Sequence, residues 1–162
     1  MTRAIADTDI LSAFGKVGKV ELLGSLFDAI CIVPAVFEEL LEAQRAGLTF
    51  IDDAFKSIKL MSLDTELEAK VRRFSLDYPQ LGRGEIESIA LAVSEKSVVL
   101  TNDKQAKTVC QANSIFFMDL EEILRALKVK GILDREGLKQ LIEEIEREDR
   151  IIIKAKERIL RE

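Results

Sequence analysis

Five short apolar runs, separated by longer stretches with helical spacing, set the main constraint on this chain. They are Ala4–Ala6, Ala29–Val33, Ser57–Met61, Ser97–Thr101 and Ile115–Met118. Near-continuous apolar runs of this length suit parallel strands covered on both faces. Lys59 interrupts the third run and points to a sheet edge. Strands alternating with helices predict an α/β fold with a mainly parallel five-stranded sheet. Right-handed crossovers then bring every strand's carboxyl end to one edge.

The helices between the runs show their stripes plainly. Pro34 starts one that Gly47 stops, with Val36, Phe37, Leu40 and Leu41 as its core face. Leu67, Val71 and Phe74 mark another, and Ile86, Ile89, Ala90 and Val93 a third. The tail from Asp134 carries Leu138, Leu141, Ile142 and Ile145 on one stripe. The expected division is 1–130 for the main unit and 131–162 for a helical extension, packed on the same domain or on a twin subunit.

Acids stand at the predicted functional edge. Asp7 and Asp9 follow the first run with Thr8 between them, and Asp103 follows Thr101 and Asn102 after the fourth. At 100° per residue, Glu39 falls among Ala35, Ala43 and Ala46 rather than with the polar face of Glu38 and Glu42, so it is the expected inward acid. Glu85 and Glu87 flank their stripe on opposite sides, and Glu85 lies nearer the Gly82-Arg83-Gly84 loop where a shared site would form. Each acid also has a plainer reading, as an N-cap or a helix-dipole partner.

Composition narrows the chemistry. The chain has no histidine, which rules out Ser-His-Asp and Cys-His mechanisms and His-containing zinc sites. Carboxylates around a hard cation remain open, because the metal lowers the pKa of its bound water. A net charge of −5 gives no global basic footprint, so any nucleic-acid contact must be local or metal-borne. No apolar run approaches the roughly 20 residues of a membrane span, and no signal-peptide pattern opens the chain, so a cytoplasmic protein is expected. Cys31 and Cys110 read as buried small hydrophobes.

Taken in order, Asp7-Thr8-Asp9-Ile10-Leu11, Val33-Pro34-Ala35-Val36-Phe37-Glu38-Glu39-Leu40, Leu81-Gly82-Arg83-Gly84-Glu85-Ile86-Glu87-Ser88-Ile89-Ala90-Leu91-Ala92 and Leu100-Thr101-Asn102-Asp103-Lys104 closely resemble the PIN domain, in its VapC-like prokaryotic branch. The resemblance covers roughly residues 4–130. It implies a three-layer α/β/α sandwich and a ribonuclease dependent on Mg²⁺ or Mn²⁺. It further implies Asp7, Glu39, Glu85 and Asp103 as catalytic metal ligands, with Thr8 and Thr101 beside them. Asp9 stands where Asn or Ser is commoner and leaves the number of metals open.

Arg83, Lys104 and Lys107 are candidate phosphate contacts, each with solvated surface charge as its alternative. The implied substrate is single-stranded or structured RNA, and the implied partners are a second copy in a homodimer and an antitoxin. The alternative is a catalytically idle PIN-like module for nucleic-acid binding or assembly. Asp7-x-Asp9 also resembles the start of haloacid dehalogenase-type phosphatases, but Leu11 departs from that pattern.

Overall fold

In the computed structural model, which describes residues 2–162, the apolar runs pair as one five-stranded sheet. The strands are β1 (Arg3–Ala6), β2 (Ala29–Ile32), β3 (Lys59–Leu60), β4 (Val98–Leu100) and β5 (Phe117–Met118). Their order is β3-β2-β1-β4-β5, and every pairing is parallel. Ile5 stands level with Cys31 on one side and Val99 on the other, so β1 is the central strand. Chain order reverses across the β1–β4 pair, which makes the end of those two strands a topological switch point.

The helices are α1 (Thr8–Gly15), α2 (Glu21–Gly24), α3 (Pro34–Arg45), α4 (Ile51–Phe55), α5 (Thr65–Asp77), α6 (Arg83–Glu95), α7 (Lys104–Ala112), α8 (Leu120–Val129), α9 (Arg135–Glu148) and α10 (Lys156–Arg161). They flank the sheet as the outer layers of an α/β/α sandwich. Ile5, Ile10, Leu11, Phe14, Leu40, Ile89 and Leu100 are buried at its centre. Truncating Phe14 to alanine would cost about 3–5 kcal/mol, the usual range for a large buried aromatic.

The final helices share this core. Leu138, Leu141, Ile142 and Ile145 of α9 are buried with Ile159 and Leu160 of α10 in the same apolar cluster. Lys16 Nζ reaches Asp149 Oδ1 at 2.7 Å, and Lys19 Nζ reaches Glu144 Oε2 at 3.5 Å, beside the contact of α9 with α1. Among the described residues, no helix is long and apolar enough to cross a membrane.

Several local expectations change. Helical spacing predicts helices over Val20–Phe27 and Glu85–Glu95, whereas the first stretch holds only the four-residue α2 and α6 starts at Arg83, with Gly82 at the N-cap. Val93, near the end of α6, is 39% exposed rather than core. Phe116 is 82% exposed just ahead of β5, an edge strand with no sixth strand to cover it. Both cysteines are buried and free.

Candidate functional site

The switch point gathers the acids. Asp7 directly follows β1 and Asp103 follows β4 by three residues, so adjacent central strands deliver both. Asp7 is 7% exposed. Its Oδ1 accepts the Thr8 N–H at 2.9 Å, and its Oδ2 accepts the Thr101 hydroxyl at 3.2 Å. Burial, reinforced by the Glu85 charge and to a lesser degree by Asp9, raises its pKa to about 7. The bonds from Thr8 and Thr101 offset this only in part.

Thr101 is itself buried, and its hydroxyl oxygen accepts the Asp103 N–H at 3.1 Å. Asp103 caps α7, with Oδ1 accepting the Ala106 N–H at 2.7 Å. Asp9 is exposed on the outer side of α1.

Glu85 sits in the first turn of α6, and its carboxylate folds back toward the helix start. A Cβ on Gly82 would stand 2.5 Å from Glu85 Oε2, so a side chain there would push the Glu85 carboxylate out of its present place. Partial burial pushes the Glu85 pKa up, the backbone amides of Glu85 and Gly82 pull it down, and Asp103 and Glu39 push it up again. Glu85 thus stands in the field of both Asp103 and Glu39.

Glu39 is exposed rather than buried, contrary to the expectation of an inward acid. Its carboxylate still turns toward the site. Oε2 accepts the Thr8 hydroxyl, and Oε1 lies 3.2 Å from where a Gly84 Cβ would be.

Asp7, Glu85, Ser88, Thr101 and Ala106, among others, line a crevice too tight to admit a water molecule as it stands. The Ser88 hydroxyl is buried there without a hydrogen-bond partner. Among the described residues, no three acids stand close enough to grip a metal ion as they are arranged. Asp7, Glu39 and Asp103 each accept a hydrogen bond from a nearby donor. The donor set is nonetheless all oxygen: carboxylates, two threonine hydroxyls and the orphaned Ser88 hydroxyl. That chemistry fits a hard divalent cation.

The three basic candidates part company. Lys104 opens α7 and is exposed. Lys107 pairs with Asp119 Oδ2 at 2.8 Å, both side chains being largely covered. Arg83 gives its Nε to Glu87 Oε2 at 2.7 Å while the side chain stays 75% exposed.

Glu87 is the residue the sequence left unassigned. It is fully buried, and its Oε1 accepts the Ala35 N–H of α3 at 3.1 Å. A signal for it exists: Val33 precedes Pro34 at the start of α3, so that helix has no capping oxygen of its own.

A family described as PIN domain matches residues 3–162. Among solved structures, VapBC2 from Rickettsia felis, determined bound to a DNA fragment from their promoter, is similar at a TM-score of 0.59 and 14% identity, covering 73% of this chain and 98% of that one. PAE2754 from Pyrobaculum aerophilum is similar at a TM-score of 0.58 and 17% identity, covering 79% and 98%. A PilT N-terminus domain protein from Sulfolobus solfataricus is similar at 0.52 and 19% identity, covering 77% and 92%. A search of curated proteins gives no significant match. The fold, the acids at its switch point and the match across nearly the whole chain lead to one assignment: this chain belongs to the PIN domain family.

Proposed function

We propose that the chain is an Mg²⁺- or Mn²⁺-dependent endoribonuclease, acting as the toxin of a toxin–antitoxin pair. The observation that carries the reading is the apposition of Asp7 and Glu85 in one cleft, each pushed toward holding a proton by burial and by the other acids. Carboxylates placed so are primed to exchange protons for a cation. Asp7, Glu39, Glu85 and Asp103 would hold it, with Asp9 at the rim. When bound, the cation would lower the pKa of a water and offset charge on the phosphate.

The chain's own groups supply the rest. Thr101 steadies Asp7 and Asp103 together, and Thr8 steadies Asp7 and Glu39. Arg83 and Lys104 stand at the first positions of α6 and α7, where the helix N-termini also favour a phosphate. Hydrolysis would break a phosphodiester of single-stranded or looped RNA, whose backbone can bend into a recessed edge. A VapBC-type neighbour supports an antitoxin as partner, and a homodimer is the proposed working form. Residues 131–162 act as an extension that completes the core rather than as a separate module.

The rival reading is an idle PIN module, and the local caps made by Asp7 and Asp103 favour it. One experiment separates the two. A mixed single-stranded RNA is incubated with the protein in Mn²⁺, in EDTA, and with Asp7→Asn in Mn²⁺. Cleavage confined to the first arm supports the nuclease; intact RNA in all three supports the idle module.

A further inference from the structure

We infer that Glu87 is a positioning residue for the metal site, a role that rests on the metal-dependent reading above. Glu85 and Glu87 sit one residue apart, yet their surroundings divide the work. The Glu87 carboxylate has no exposed surface, and both oxygens are engaged: Oε1 by the Ala35 amide and Oε2 by Arg83 Nε. It is therefore not free to ligate an ion.

What it joins is more telling. Ala35 lies in the first turn of α3, the helix that carries Glu39, and Arg83 is the first residue of α6, the helix that carries Glu85. Pro34 has no N–H and Val33 no side-chain acceptor, so Glu87 provides the capping oxygen that α3 lacks. One buried carboxylate thus pins the starts of two helices to each other.

The spacing so fixed is tight. Gly84 lies under Glu39 and Val36, where even a methyl group would stand only 3.2 Å from Glu39 Oε1 and from Val36 Cγ2. Releasing the α3 start would let Glu39 drift from the first turn of α6 and from Glu85. The Arg83 side chain, anchored by Nε, keeps its outer nitrogens at the exposed rim of the same edge. Groups that orient metal ligands without touching the ion commonly govern affinity by 10–100-fold.

The test measures Mn²⁺ binding without RNA, by the electron paramagnetic resonance signal of free aqueous Mn²⁺, in wild type, Glu87→Leu and Glu87→Gln. Circular dichroism and urea midpoints report folding in parallel. Glu87→Leu leaves Arg83 in solvent but the Ala35 amide without its acceptor, so the urea midpoint should fall while the fold persists. Its Mn²⁺ dissociation constant should rise about tenfold or more. Glu87→Gln keeps one acceptor and should fall between Leu and wild type, and it decides the matter alone if Leu unfolds.

Wild-type Mn²⁺ affinity in the folded variants, even with a lowered urea midpoint, would overturn the inference and leave Glu87 a stability residue. Absence of Mn²⁺ binding by wild type would instead overturn the metal reading and this inference with it. RNA cleavage by wild type, lost with EDTA, tells those two failures apart.

Discussion

Thr101 Oγ1 donates to Asp7 Oδ2 at 3.2 Å, and through the same oxygen accepts the Asp103 N–H at 3.1 Å, so one hydroxyl ties the ends of β1 and β4 together. Thr101→Val keeps the shape and removes both bonds, leaving a buried acceptor and a donor without partners. The expected loss is about 1–3 kcal/mol. Urea unfolding should show a lower midpoint at unchanged slope, and a wild-type midpoint would mean that the hydroxyl holds nothing.

The Asp7 carboxyl makes stability fall as pH rises. Its folded pKa of about 7 lies above the ordinary value of 3.8, so between these pH values the unfolded chain has released a proton that the folded chain retains. Proton release then favours unfolding, and the stabilising contribution present at low pH is lost as pH climbs toward 7. Glu85 acts in the same direction. Asp119 acts oppositely: although burial works against it, Lys107 and the Glu122 amide lower its pKa, so its stabilising contribution is lost in acid. Metal-free protein should melt at a higher temperature near pH 5.5 than near pH 8, and Asp7→Asn should flatten that difference. An unchanged slope in the variant would count against Asp7 as its source.

Divalent cations should reverse the penalty. Mn²⁺ at 100 times its dissociation constant would add about 2.7 kcal/mol of stability. The melting temperature of wild type should rise accordingly and return to its starting value with EDTA. Asp7→Asn should lose the rise, and an equal rise in the variant would place the ion elsewhere.

Gly84→Ala sets helix propensity against packing. Alanine gains about 1 kcal/mol in a helix, whereas crowding a packed core costs about 1–3 kcal/mol. The new methyl would meet fully buried Val36, which cannot yield freely, so packing should win and stability should fall by about 1 kcal/mol. Gly24→Ala, with nothing within 4 Å of the added carbon, serves as the control and should be neutral or stabilising. Chemical denaturation of the pair checks the sign.

Local patterns in the chain announce much of this. A short apolar run followed by Thr8 or Thr101 and an acid is a nearest-neighbour pattern, so the ends of β1 and β4 could be read directly. Strand order could not: the reversal across β1 and β4 comes from pairings remote in sequence. The choice between Glu85 and Glu87 was beyond periodicity for a related reason. Both flank one stripe, and only the packing of α3 on α6 buries Glu87 beneath the Ala35 amide. Lys107 looked available because its partner, Asp119, belongs to the start of α8. Helix angle put Glu39 on the small-residue flank of α3, but how far that flank is covered is set by packing that periodicity does not carry.

The β1–β4 pairing also has a consequence in time. The strand bearing Asp7 leaves the ribosome first, whereas its neighbour β4 and the residues after it emerge only when well over half the chain is made. Long-range parallel pairing cannot precede its later strand. An incomplete nascent chain therefore carries the first acid without the neighbouring edge that gives it company.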